Sequence, residues 1–303
     1  MHNISAAAGT GRENPRKRIL FLSAVQLHPA LKNDMIKRLH KRSAFTGRAG
    51  YIFKERSENA MPNEYDNDVF FSQYARMNRS KGGLAAAGEW HQLKPLFPPL
   101  EGTAVLDLGC GYGWHCKYAA DHGAARVLGI DLSEKMLAQA RLKNQDEIIQ
   151  YRLCALEDYE YPENTWDIAV SNLALHYIED LAQVFQNVWR TLKPGGTFLF
   201  NIEHPVFTSG VHQDWIYDED KTPKYWPVDD YFRPGRRVTR FLGCEVVKQH
   251  HTLTQILMGL LGCGFVLEVV EEVQPSGEML QLPGMQDELR RPMMLLVRAG
   301  KHV

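Results

Sequence analysis

The chain of 303 residues reads as an α/β protein, a mostly parallel sheet with helices on both faces, and three observations predict this. Apolar runs of strand length alternate with segments of helical periodicity from Thr103 to Glu203. The first run, Val105-Leu-Asp-Leu108, passes directly into Gly109-Cys-Gly-Tyr-Gly113, three glycines spaced two apart, and then into a helix-like segment. A second strand pattern, Arg126–Ile130, ends in Asp131, 24 positions after Asp107. Two carboxylates thus come to neighbouring strands of a sheet whose carboxyl edge is where ligands bind.

The remaining elements follow in order. Glycines lack a Cβ and tolerate positive φ, so the loop of Gly109, Gly111 and Gly113 can pass close beneath a nucleoside-sized molecule and offer it N–H groups. A dinucleotide fingerprint begun at Gly109 would need a glycine at position 114, where Trp114 stands. Asp107, two residues before the loop, suits a cationic group better than a pyrophosphate. Ser133 supplies an N-cap for a helix with apolar positions at Met136, Leu137 and Ala140. Ile148–Leu153 is the third strand, followed by Cys154-Ala-Leu-Glu-Asp158. Trp166–Asn172 is the fourth, its apolar side chains fit for a buried parallel sheet. A helix over Glu179–Thr191 stops at Leu192-Lys-Pro-Gly-Gly196, and Thr197–Ile202 is the fifth strand. Beyond it lie a strand at Glu245–Thr252, a helix at Leu253–Cys263 and a closing strand pair, Phe265–Val273 and Met293–Val297.

The glycine loop, Asp131, the segment after the third strand and the Leu192–Gly196 turn, all in order, resemble the class I S-adenosylmethionine-dependent methyltransferases. The likeness is to the group that includes the ubiquinone-biosynthesis C-methyltransferases and the malonyl-carrier carboxyl O-methyltransferases. It implies a Rossmann-like seven-stranded sheet, mostly parallel with an antiparallel last strand, and S-adenosylmethionine as cofactor. Carried over by position, Asp107, Gly109, Cys110, Gly111 and Gly113 would cradle the cofactor. Asp131 with Leu132 would meet the ribose, Leu156 and Glu157 the adenine, and Ser171 and Asn172 would close the strand edge. The chain departs from the family at Ala155, where many relatives carry an acid, so adenine recognition falls to Glu157 and to backbone near Leu156.

Such a cofactor presents an electrophilic methyl group, so the protein mainly aligns a nucleophile with it. A hydroxyl or ammonium acceptor must also lose a proton, and the candidate bases are His176 and Tyr177 after the fourth strand and His204 after the fifth. A packing role beside the cofactor fits His176 equally well, and loop ordering before Pro205 fits His204 equally well. Trp90 and His91 read as a packing aromatic and an exposed imidazole. The aromatic-rich insertion at about 205–240, with Trp215, Tyr217, Tyr225, Trp226, Tyr231 and Phe232, is expected to form a substrate lid. Its Arg236 and Arg237 would grip an anion or pair with local carboxylates. Tyr65, Phe70, Phe71 and Tyr74 would close the other side or pack on the sheet. His250 and His251, being adjacent, point apart and do not suggest a shared metal.

Composition bounds the rest. Hydrophobic content of 44% supports a substantial core, and net charge is only −1. The first 60 residues hold 12 Lys and Arg against 4 Asp and Glu, which leaves 23 against 32 in the other 243. The acidic balance of 61–303 argues against a nucleic-acid surface. Residues 1–60 are expected to be a basic extension outside a single domain at 61–303, with translation starting at Met61 as one explanation. Arg16–Val25 is too short an apolar run, and begins too late, for a signal peptide. Five cysteines at 110, 116, 154, 244 and 263 form no metal or disulfide pattern. The expectation is a cytoplasmic methyltransferase acting on a small molecule, without metal, nucleic-acid or membrane partner. The alternative is a non-catalytic protein that kept the cofactor fold; a nicotinamide oxidoreductase is disfavoured by Trp114.

Overall fold

The computed structural model describes residues 63–210 and 212–302; the basic stretch 1–60 lies outside them. Five strands, β1 Ala104–Leu108, β2 Arg126–Asp131, β3 Ile149–Leu153, β4 Trp166–Asn172 and β5 Leu192–Glu203, run parallel to one another. Two short antiparallel ribbons follow, β6 Ile216–Tyr217 with β7 Pro223–Tyr225, and β8 Gly235–Phe241 with β9 Cys244–His250. The chain then returns to the main sheet with β10 Val266–Glu272 and β11 Met294–Gly300. The seven-stranded order is β10-β11-β5-β4-β1-β2-β3, and β11 is antiparallel to both neighbours. This is the mostly parallel seven-stranded sheet with an antiparallel last strand that the sequence predicts. Strand order reverses between β1 and β4, and a crevice opens at that point along the carboxyl edge.

Burial explains why the central strands form. Every residue of β1 is buried, and Ile168, Ala169 and Val170 are covered on both faces of β4. Before the sheet come three short helices, α1 Asp68–Tyr74, α2 Asn78–Gly82 and α3 Trp90–Leu93. Next are α4 Trp114–Asp121, α5 Glu134–Lys143, α6 Leu181–Thr191, α7 Pro205–Ser209 and α8 Leu253–Cys263. One face of the sheet buries Phe185 and Val188 of α6 and Ile256 and Leu260 of α8 against Phe198 and Phe200. The other face buries Cys116 and Ala119 of α4 and Leu137 of α5 against Val105, Val127 and Val170. The α5 helix starts where Ser133 accepts a hydrogen bond from the Met136 amide, as its sequence predicts. The helix expected from Glu179 begins two residues later because the Asp180 side chain caps it. Leu192-Lys-Pro-Gly-Gly196 is not a separate turn: Leu192 pairs with Trp166, and β5 runs through an irregularity with Gly195 at φ +78°.

Candidate functional site

A cavity of about 400 Å³ occupies the crevice, within the size range of small-molecule and cofactor sites. Its floor is the loop after β1. All three loop glycines have positive φ, at +76°, +54° and +75° for Gly109, Gly111 and Gly113, but each for a different reason. A Cβ on Gly109 would collide with the Ala174 Cβ, and one on Gly113 with the Tyr151 ring and hydroxyl; at Gly111 a Cβ would meet only open space. Two of the glycines therefore serve packing, and the third is where the backbone is bare toward the cavity.

Asp131 fixes this loop. Its Oδ2 accepts the Gly111 amide at 2.8 Å and its Oδ1 the Ser133 amide at 2.8 Å. Burial pushes its carboxyl up to about 6. Leu132, Leu156, Glu157 and Cys110 also line the cavity, and burial raises the Glu157 carboxyl. Asn172 lines it as well. Its amide nitrogen donates to Glu89 Oε1 at 2.9 Å and its oxygen accepts from Asn201 at 2.9 Å.

Three expected cofactor residues and one expected base are not brought to the cavity surface. Asp107 is 1% exposed beneath the loop, where its Oδ2 accepts from Cys116 Sγ at 3.2 Å and its Oδ1 has no partner. Burial pushes this carboxyl up to about 7. Ser171 donates to the Leu108 carbonyl at 2.8 Å and holds β4 to β1. Gly113 lies under Tyr151. His204 caps α7, its Nδ1 accepting the Val206 amide at 3.0 Å while its Nε2 lies 3.1 Å from Glu272. Pro205 starts that helix, so the ring is used to satisfy backbone rather than to face an acceptor.

The opposite end of the cavity holds His176 and Tyr177. Burial drives the His176 imidazole down to about 4, so it is neutral, and its Nδ1 has no protein partner. The Tyr177 hydroxyl lies 3.0 Å from that of Tyr65, and burial pushes both phenols above their ordinary values. A phenol so held gives hydrogen bonds but does not take a proton near neutrality, which leaves His176 as the base candidate of this pair. Tyr65 and Tyr74 line the cavity, while Phe70 packs between Tyr65 and Phe241.

No described residue of 205–240, the expected lid, lines the cavity. Phe207, Trp215 and Trp226 instead surround Arg291, whose guanidinium lies 4.4 Å from the Trp226 ring and 5.0 Å from Phe207. Arg236 is exposed, and Arg237 donates to the carbonyls of Asp230 and Arg233. The cover comes from the next segment, with Phe241, Val247, Lys248 and Gln249 of the β8–β9 hairpin. His250 and His251 bond separately, to Thr208 and the Tyr231 carbonyl and to the Ile178 carbonyl. Among the described residues no group of three His, Cys, Asp or Glu side chains is placed to hold a metal ion.

Sequence reasoning missed two charged pairs. Arg79 lines the cavity and is paired with the buried Glu89. Burial alone would raise the Glu89 carboxyl, but the Arg79 guanidinium and the Asn172 amide hold it below its ordinary value. At the other end Glu203 is paired with Lys248. Near Arg79, Ser80 Oγ, Trp114 Nε1 and His115 Nε2 line or flank the cavity without protein partners. A bare glycine beside a carboxylate, with unpartnered polar atoms and a guanidinium along the same cavity, fits a nucleoside that carries an amino-acid group.

Comparison with known proteins agrees. The methyltransferase domain family matches residues 106–200. A solved S-adenosylmethionine dependent methyltransferase of Mesorhizobium loti is 43% identical, with a TM-score of 0.67 over 72% of this chain and 100% of that one. A Listeria monocytogenes protein, whose methyltransferase activity is itself an assignment, is 48% identical, with a TM-score of 0.70 over 73% of this chain and 100% of that one. A Haemophilus influenzae protein of uncharacterized function is 30% identical over 244 residues, 78% of this chain and 96% of that one. The chain belongs to the S-adenosylmethionine-dependent methyltransferases, and its cofactor is S-adenosylmethionine.

Proposed function

We propose that residues 61–303 form a single catalytic domain that transfers the cofactor's methyl group to a small-molecule acceptor by in-line displacement. One observation carries this reading. One cavity is lined both by Gly111 and Asp131 and by His176, Tyr177 and Tyr65. Bound there, S-adenosylmethionine supplies an electrophilic methyl on a sulfonium and a thioether leaving group. The Asp131 carboxylate would accept from the ribose diol, the bare face of Gly111 would let the backbone lie against the cofactor, and Leu156 and Glu157 would border the adenine. From below, Asp107 bonds Cys116 of the helix that follows the loop and Ser171 ties β4 to β1.

At the far end His176 takes the acceptor's proton, and the paired hydroxyls of Tyr65 and Tyr177 orient the acceptor. The aromatic and apolar walls of Tyr65, Tyr74, Phe241 and Val247 exclude water from the transfer. A cytoplasmic setting is supported by five free cysteines, two of them buried among core residues. Among the described residues no helix is long and apolar enough to cross a membrane.

The test is transfer of a radiolabelled methyl group to a panel of phenols, amines and carboxylic acids, with His176→Gln in parallel. Transfer by the native chain that His176→Gln loses while it still binds cofactor supports the reading. Binding without transfer to any member of a broad panel counts against it.

A further inference from the structure

The β8–β9 hairpin delivers an ammonium group to the acceptor end of the cavity. Lys248 is 4% exposed, and its Nζ donates to Glu203 Oε1 and, at 3.1 Å, to Gln213 Oε1. The Phe241 and Phe207 rings lie 5.5 and 5.9 Å from the same nitrogen. Glu203, at the end of β5, accepts from Gln213 Nε2 on its other oxygen at 3.0 Å. His176 Nε2 lies 3.9 Å from Glu203 Oε1, the oxygen that Lys248 already holds.

These positions set a competition. A buried carboxylate needs a cationic partner, because leaving it uncompensated costs several kcal/mol. Lys248 meets that need from the hairpin. Without Lys248, the nearest group able to become a cation is His176, and a proton drawn there by Glu203 would remove the base. The His176 ring lies against Tyr177 on its own turn, whose hydroxyl meets that of Tyr65, and Glu64 of the N-terminal segment lines the same cavity. Burial keeps the two phenols protonated.

We infer that Lys248 is a positioning residue: by neutralising Glu203 from the hairpin it stops that carboxylate from drawing a proton onto the buried His176, whose Nδ1 stays free to take the proton of a hydroxyl or amine acceptor. The inference rests on the role proposed above for His176. In the reaction the acceptor oxygen or nitrogen forms the new bond to carbon, the carbon–sulfur pair stays on sulfur, and the acceptor's proton passes to Nδ1. The hairpin therefore both covers the acceptor and arms its base. A carboxylate acceptor, which has no proton to lose, would need neither effect.

The test is an NMR pH titration of the ¹⁵N-labelled imidazoles in the full chain, with the His176 signals identified by their loss in His176→Gln. In the native protein His176 stays neutral across the neutral range, with the proton on Nε2. In Lys248→Met its midpoint moves up, and Lys248→Arg restores the native value. The double variant Lys248→Met/Glu203→Gln also restores it, because no bare carboxylate remains. A Lys248→Met midpoint equal to the native one, in a chain whose circular dichroism is native, overturns the inference, as does a native Nδ1–H tautomer. If Lys248→Met does not fold, Glu203→Gln alone decides: its midpoint stays at or below the native value, and a rise overturns the inference. Turnover gives an independent reading. With a phenol or amine acceptor, Lys248→Met should lose kcat about tenfold per pH unit below its raised midpoint and recover it above. A loss that alkaline pH does not recover marks a merely structural role and overturns the inference. Absence of transfer in the native chain, with the NMR coupling intact, refutes the proposed function rather than the coupling.

Discussion

Substituting the three loop glycines one at a time should separate folding from cofactor binding. At Gly111 a Cβ meets no atom within 4 Å, so the cost of a valine to the fold is mainly the left-handed backbone, about 1–2 kcal/mol. Its branched side chain projects from the bare face of the loop into the volume the cofactor needs. At Gly109 even alanine carries the same backbone cost and also drives its Cβ into Ala174. Overpacking of this kind adds about 1–3 kcal/mol, for a total of about 2–5. For a domain of this size each kcal/mol lowers Tm by about 2–4 °C. Gly111→Val should therefore melt within about 8 °C of the native chain yet lose cofactor affinity, while Gly109→Ala should melt up to about 20 °C lower. Thermal denaturation and calorimetric titration with S-adenosylhomocysteine read the two effects. Native affinity in a folded Gly111→Val would refute the assignment of the loop, and a Gly109→Ala chain as stable as the native one would refute the packing argument.

Three further outcomes follow from the site. Asp131→Ala should weaken cofactor binding by about 1.5–3 kcal/mol, the worth of a hydrogen bond to a charged group, and titration calorimetry would show it as a 10-fold or larger rise in Kd. Because burial raises the Asp131 carboxyl to about 6, the acceptor of the ribose hydroxyls is lost as pH falls through that value. Affinity should then drop as pH falls from about 7 to 5 in the native chain and depend less steeply on pH in Asp131→Asn. His204→Ala should cost about 0.5–2 kcal/mol of stability through loss of the α7 cap and leave methyl transfer intact, whereas His176→Gln should do the reverse. Chemical denaturation and the labelled-methyl assay distinguish the two histidines.

What was legible in the sequence is what local pattern encodes. The β1 apolar run and its glycines, Asp131 at the end of β2, and the Ser133 cap lie within a few residues of one another and declare their geometry through spacing. Side chains that meet only after folding left no such trace. Glu89 and Asn172 are 83 positions apart, and Glu203 and Lys248 are 45 apart. The pairing of Arg79 with Glu89 beneath the cavity depends on how α2 and α3 settle on the sheet, which a single sequence does not specify. His204 illustrates an ambiguity of chemistry: its place after a parallel strand suits catalysis, but its ring satisfies the first turn of α7. The lid was misplaced for a related reason. Aromatic content drew attention to Trp215 and Trp226, which pack around Arg291, while the segment that covers the cavity has the ordinary alternation of β9.

The most direct measurement is calorimetric titration of the native chain with S-adenosylmethionine and S-adenosylhomocysteine, with NAD as control. The account predicts saturable one-to-one binding of the first two and none of NAD. Binding of NAD alone, or of no ligand by a folded chain, would contradict it.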